Sequence, residues 1–142
     1  YRSGTEGTPA IFGFGAACQA VGATFKEDTA RERQLLELAM ECLGAIEGVR
    51  INGAHEAPHI LSLSIPGVPS QHTLNLLQDE GICVSAGSAC AKGHRSHVLV
   101  AMGLPEEVID SSFRVSLCRD TAEADILALA EGVKAVIARM KK

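Results

Sequence analysis

The residues best suited to chemistry lie in one short stretch, G-S-A-C-A-K-G-H-R, which runs from Gly87 to Arg95. Its cysteine, Cys90, has small neighbours on both sides, so a substrate has room to approach. Lys92, His94 and Arg95 follow, and positive charge near a thiol favours the thiolate, the form that attacks as a nucleophile or binds a metal. The stretch predicts a reactive cysteine on a flexible loop. On local chemistry alone, an incidental exposed cysteine explains it equally well.

A metal site is a further interpretation of the same region. Cys83, Cys90, His94 and His97 form a C-x6-C-x3-H-x2-H pattern. This pattern lacks the close cysteine pair of structural zinc sites, so it does not favour structural zinc. A transient metal or iron–sulfur contact through Cys90 alone remains an alternative.

The other cysteines give little sign of chemistry. Cys18 and Cys42 fall within apolar helical patterns and Cys83 within a strand-like run, so we expect all three in the core, where free cysteine acts as a small hydrophobe. Five widely and irregularly spaced cysteines are not typical of a secreted disulfide framework. The sequence therefore favours a reducing, cytoplasmic setting.

Length and charge exclude several classes of protein. The chain has 142 residues and a net charge of −4, with no basic block of the kind that binds nucleic acid. It has no apolar run near the roughly 20 residues that a membrane span needs. Because it opens on Tyr1 without an initiator methionine, we expect it to be a piece of a longer polypeptide.

The elements that must position Cys90 follow from hydrophobic periodicity and from capping residues. Thr8-Pro9 predicts the start of a helix that runs to about Val21, and Thr29 with Glu32 fits the capping box of a second helix that ends at Gly48. Strands are predicted at 49–51, 60–65, 82–85 and 113–117, and further helices at 70–77, at 98–102, from Pro105 and after Thr121. This order predicts an α+β fold, a small, mostly antiparallel sheet with helices on one side. Residues 1–25 are expected to form an N-terminal arm and 26–142 the domain that carries the cysteine loop.

Several stretches together resemble one family. In chain order they are R-S-G-T-E, P-H-I-L, I-P-G-V, S-A-G-S-A-C, S-H-V-L, A-M-G-L and S-F-R-V-S-L, between Arg2 and Leu117. They resemble the C-terminal part of a cysteine desulfurase of the NifS/IscS type, a pyridoxal 5'-phosphate enzyme with the class V aminotransferase fold. The resemblance covers essentially the whole chain and implies the C-terminal small domain of such a transferase.

The resemblance implies roles for three residues. Cys90 would attack the sulfur of the L-cysteine substrate, so that alanine leaves and Cys90 carries a persulfide to a sulfur-acceptor scaffold or carrier protein. Arg114 would hold the substrate carboxylate, which suits a planar fork of donors. Thr5 would reach the cofactor phosphate of a partner subunit, which implies a homodimer.

The sequence also departs from the family pattern. The histidine–lysine motif that holds the cofactor in the family is absent from this chain, and Cys118 stands where a glycine is expected. We therefore expect the 142 residues alone to be inactive. Alternatives are a selenocysteine lyase or another class V lyase of the same fold, or a cofactor-free sulfur-carrier or interaction module.

Overall fold

The computed structural model describes residues 4, 6–86 and 95–140. In these residues the elements follow in the order α1 (Thr8–Gly44), β1 (Arg50–Asn52), β2 (Ile60–Ser64), α2 (Ser70–Asp79), α3 (His97–Ala101), α4 (Glu106–Asp110), β3 (Ser112–Ser116) and α5 (Glu123–Met140). The α+β fold class expected from the sequence is confirmed. Thr5, Cys90 and His94 lie outside the described residues.

The sheet is antiparallel, with the strand order β1-β2-β3. Side chains of a strand point alternately to its two faces. In β2 and β3 the apolar positions Leu61, Leu63, Phe113 and Val115 are buried on one face. The polar positions between them, including Ser62 and Arg114, therefore share the other face.

Three helices cover the apolar face of the sheet. The second half of α1, together with α2 and α5, contributes fully buried side chains to one core, among them Leu36, Leu43, Leu77, Val133 and Val136. These residues recur at helical spacing, so each helix turns one apolar stripe towards the sheet. Burial of one such side chain stabilises the fold by roughly 1.5–3 kcal/mol.

The short helix α4 lies against the polar face instead. The Ser64 hydroxyl donates to the Val108 carbonyl oxygen at 2.7 Å, and the Ser112 hydroxyl donates to the Ile109 carbonyl oxygen at 2.8 Å. Ser64 and Ser112 are directly opposite each other in the ladder. One cross-strand row of the polar face is thus tied to α4, and the helices are not confined to one side as the sequence suggested.

Helix α1 is continuous where the sequence predicted two helices. It runs unbroken through Val21 and Thr29. Thr29 and Glu32 lie in its interior, so the apparent capping box is not a helix start. No proline lies between these points, and a threonine followed three residues later by a glutamate also fits the middle of a helix. The expected boundary between residues 25 and 26 falls inside this helix.

The predicted strand at 82–85 forms only one bridge, between Ser85 and Arg114. Before Ser85 the backbone parts from β3 and leaves a cleft of about 360 Å³ that Cys83 helps to line. Cys83 and Cys18 are exposed, so the expectation that they belong to the core was wrong, while Cys42 is half-buried against the core. Cys18 is exposed because the first half of α1 makes no contact with the core.

Candidate functional site

Of the three residues to which the resemblance assigns roles, Arg114 alone lies among the described residues. It stands in the middle of β3 between buried Phe113 and Val115, so strand alternation turns its side chain to the polar face, where it is exposed. Among the described residues no carboxylate lies within ion-pairing distance of its guanidinium. An unbalanced guanidinium fork on a sheet suits a carboxylate ligand.

The cysteine stretch begins directly beside this arginine. The Arg114 N–H donates to the Ser85 carbonyl oxygen at 2.6 Å, and the Ser85 N–H donates to the Arg114 carbonyl oxygen at 3.0 Å. Gly87 follows two residues later. The backbone thus links the start of the cysteine stretch to the strand that carries Arg114.

The other end of the stretch is held by an ion pair. Arg95 binds Asp110 with two hydrogen bonds, Nε to Oδ1 and Nη2 to Oδ2, each at 2.7 Å. Its third nitrogen, Nη1, lies 2.9 Å from Glu106 Oε1. The hydrogen bonds from Arg95 hold the pKa of the Asp110 carboxyl below its usual range. Those from Asp110, and then from Glu106, raise the pKa of Arg95.

This ion pair corrects one part of the sequence interpretation. Arg95 was expected to help favour the Cys90 thiolate by its positive charge. Its guanidinium is instead balanced by the two carboxylates on α4. Arg95 therefore serves as an attachment of the chain to α4 rather than as a free charge.

The histidines divide between helix and loop positions. His97 is the first residue of α3, after Ser96, whose hydroxyl accepts from the Leu99 N–H. The helix predicted at 98–102 thus begins one residue earlier. His55 lies in the loop after β1, where Arg33 Nη1 donates to its carbonyl oxygen at 2.8 Å. Burial lowers the pKa of His55. None of the described contacts links His55 to the cysteine stretch, and the sequence assigned it no role.

The described residues show neither a grouped set of metal ligands nor a membrane-spanning helix. Within residues 6–86 and 95–140, no three side chains of the metal-binding types come together as a metal site would require. Cys90 and His94, two of the four residues in the metal interpretation, lie outside that part of the chain. In the described part, no helix combines the length and apolarity needed to cross a bilayer.

Comparison with known proteins identifies the family to which the chain belongs. The aminotransferase class-V family matches residues 1–129, and the chain belongs to that family. Within it, the chain is similar to cysteine desulfurases. It is 35% identical over 148 aligned positions to a cysteine desulfurase of Nostoc sp., and 32% identical to the cysteine desulfurase IscS of Neisseria meningitidis.

These matches extend over nearly the whole chain but over only part of each relative. The alignments cover 99% and 100% of this chain and 36% of each relative. Among solved structures, the NifS-like protein from Rickettsia africae matches with a TM-score of 0.83 at 32% identity, over 96% of this chain and 36% of that one. The chain therefore spans about a third of the length of the proteins it resembles.

Proposed function

We propose that this chain acts as the small domain of a cysteine desulfurase, which converts L-cysteine to L-alanine and leaves the sulfur as a persulfide on Cys90. One observation carries the proposal. Arg114 faces outward from β3 and is bridged through its own backbone to Ser85, just before the cysteine stretch. The candidate carboxylate-binding residue is thereby bridged to Ser85, which precedes the candidate nucleophile by five residues in the sequence.

In this proposal Arg114 binds the substrate. Its guanidinium donates two parallel hydrogen bonds to the carboxylate of L-cysteine, which fixes the position of the substrate. Buried Phe113 and Val115 hold the strand beneath it. Proximity of this kind lowers the entropic part of the barrier because the reacting groups are already placed.

Cys90 is the proposed nucleophile. Its thiolate attacks the substrate sulfur and forms a sulfur–sulfur bond while the carbon–sulfur bond of the substrate breaks. The electron pair of the broken bond stays on carbon, which takes up a proton and leaves as alanine. The persulfide on Cys90 then passes its outer sulfur to an acceptor thiolate.

Pyridoxal phosphate is the cofactor that the proposed reaction requires; when bound, it supplies a ring that withdraws the electron pair from the substrate carbon. The described residues do not fit it. Of the lysines among them, Lys26 is exposed on α1, and Lys134 is exposed on α5 and paired with Glu131 at 2.7 Å. The steps assigned to this chain are therefore limited to Cys90 and Arg114.

The resemblance supports the remaining proposals. Thr5 would contact the cofactor phosphate of a partner subunit in a homodimer. The sulfur would serve iron–sulfur cluster assembly or tRNA thiolation through a scaffold or carrier protein, in the cytoplasm and without direct contact with nucleic acid or membrane.

The test is the intact mass of the protein expressed from its full reading frame, after incubation with L-cysteine and pyridoxal phosphate. We expect a gain of about 32 Da, one sulfur atom, which peptide mapping assigns to Cys90. The 142-residue chain alone is expected to gain none. Cys90→Ser should abolish the gain, whereas Cys83→Ser, which removes an exposed thiol nearby in the sequence, should retain it. A gain of one sulfur atom that survives Cys90→Ser would refute the proposal.

A further inference from the structure

Four polar residues form one row across the sheet. Asn52 pairs with Ser62, Ser62 pairs with Arg114, and Arg114 is bridged to Ser85. Directly opposite residues in antiparallel strands point to the same face. All four side chains therefore lie side by side on the polar face, with Arg114 between two serines.

The backbone pattern makes the Ser62–Arg114 pair a close one. Because the N–H and carbonyl of Arg114 both bond to Ser85, neither is directed towards Ser62. The pair is therefore of the non-hydrogen-bonded kind, in which the Cα atoms stand about 4.5 Å apart and the side chains are closest. A ligand that binds the Arg114 guanidinium close to the aliphatic part of the side chain is within reach of the Ser62 hydroxyl.

The hydrogen bonds of Asn52 indicate that the Ser62 hydroxyl donates its hydrogen to a group other than Asn52. Asn52 Nδ2 donates to Ser62 Oγ at 3.4 Å and to Ser64 Oγ at 2.8 Å. Ser62 Oγ is thus an acceptor from Asn52. Asn52 Oδ1 is buried and has no partner among the described residues, so it does not take the Ser62 hydrogen. No other acceptor for this hydrogen is found in that part of the chain.

In the neighbouring row of the polar face, the serine hydroxyls covered by α4 find hydrogen-bond acceptors within the protein. Ser64 and Ser112, two residues further along β2 and β3, both donate to carbonyl oxygens of α4. In the row of Ser62, Arg114 and Ser85, the described residues supply no such acceptor. Ser62 and Ser85 thus place two hydroxyl donors beside a guanidinium, which has donors only. Within residues 6–86 and 95–140 they find no acceptor, and water or an anion can supply one.

We propose that Ser62 and Ser85 form a carboxylate site together with Arg114, in which Ser62 is a second carboxylate-binding residue held in place by Asn52. This inference rests on the proposed function, which assigns the substrate carboxylate to Arg114. The guanidinium takes both carboxylate oxygens, and the Ser62 hydroxyl donates to one of them from the side. Half-buried Ser62 thereby selects a planar acid over an amine of the same size.

The experiment is a titration of the ¹⁵N-labelled chain followed by NMR, with L-alanine as the probe because it carries the substrate carboxylate without a thiol. We expect saturable shifts at the amides of Ser62, Ser85 and Arg114, and none with ethylamine, which lacks the carboxylate. Ser62→Ala should weaken binding roughly tenfold to a hundredfold, the effect of losing one hydrogen bond to a charged group. Ser62→Thr keeps the hydroxyl and should restore binding.

Ser116→Ala is the matched control. It removes an exposed serine hydroxyl from the same face of β3, one row away from Arg114, and should leave the affinity unchanged. No saturable shift of the unaltered chain up to about 100 mM L-alanine would overturn the carboxylate site. Equal affinity of the unaltered chain and Ser62→Ala, with loss only in Arg114→Lys, would overturn the role of Ser62. The sulfur gain on Cys90 is measured separately, so either failure here is distinguishable from failure of the desulfurase proposal.

Discussion

Arg95 shows how a single side chain ties two parts of the site together. It stands where the cysteine stretch joins α3, and its guanidinium is shared between Asp110 and Glu106 on α4. Isolated surface ion pairs contribute little to stability, but a bidentate pair within a small network is the case in which they do contribute. The pair therefore holds the chain at Arg95 against α4.

Removal of the Asp110 charge should expose this contribution. Because the pKa of Asp110 is depressed in the folded protein, its pair stabilises the fold above the ordinary carboxyl pKa and is lost as the pH falls through the depressed value. We expect Asp110→Asn to lower the midpoint of thermal unfolding at pH 7, and the difference to vanish in strong acid. Asp79→Asn, which alters an exposed acid on α2 outside any described ion pair, is the control. A difference that persists unchanged in acid would contradict the assignment.

At the scale of elements, the contact of α5 with α2 depends on a glycine. A Cβ added at Gly132 would meet Leu77 Cδ2 and Ile82 Cδ1, each at 2.9 Å, and Leu77 is fully buried. On α1, by contrast, a Cβ at Gly22 would meet nothing within 4 Å. The two glycines occupy the same kind of backbone and differ in their surroundings.

Alanine substitutions at these two glycines separate the effect of core packing from that of helix propensity. Gly22→Ala should stabilise the chain by about 0.5–1 kcal/mol, the ordinary gain of alanine over glycine inside a helix. Gly132→Ala should lose that gain and destabilise the fold, because two methyl groups in a filled core must move. Denaturant unfolding of both variants measures the difference. Equal stabilisation by the two substitutions would show that α5 does not pack closely on α2.

The helices and strands also show which parts of the fold can be predicted from the sequence. Periodicity located β2, β3 and α5, because alternating or helical apolar spacing directly reflects one buried face. It failed at 82–85, where Ile82 and Val84 are half-buried as in a strand although the backbone pairs only at Ser85. The Ser62–Arg114 row was missed because cross-strand register depends on pairing between distant segments. Its only sequence signal is the serine alternation within β2.

At the scale of the whole molecule, the first half of α1 stands out from the domain. No charged residue occurs from Thr8 to Phe25, and residues 8–23 are all exposed. Ile11, Phe14, Cys18, Val21 and Phe25 recur at alternating steps of three and four, the spacing of a helix–helix seam. Ile11 is 58% exposed, Phe14 73% and Phe25 60%. A contiguous apolar stripe of this kind is characteristic of a surface that is covered by another helix or chain.

For the 142-residue chain in solution we expect concentration-dependent self-association through this stripe. Phe14→Glu with Phe25→Glu should shift the sedimentation profile towards the monomer, because two charges on each copy would have to be buried. Ala16→Glu with Ala23→Glu adds the same charge to the opposite side of the helix and serves as the control. A dimer that survives the first pair, or is lost equally with both, would show that the stripe is not the contact.

The two attachments of the cysteine stretch set a geometric limit on sulfur delivery. Cys90 stands midway between Ser85, bridged to β3, and Arg95, paired with α4, and is five residues from each. A fully extended residue spans about 3.3–3.6 Å, so the Cα of Cys90 stays within roughly 18 Å of both attachments. If Cys90 carries the persulfide as proposed, the sulfur can reach only the region where two spheres around these attachments overlap. An acceptor protein would have to bring its thiol into that region, where the short tether supplies a high effective concentration, and tight binding elsewhere on the surface would transfer nothing.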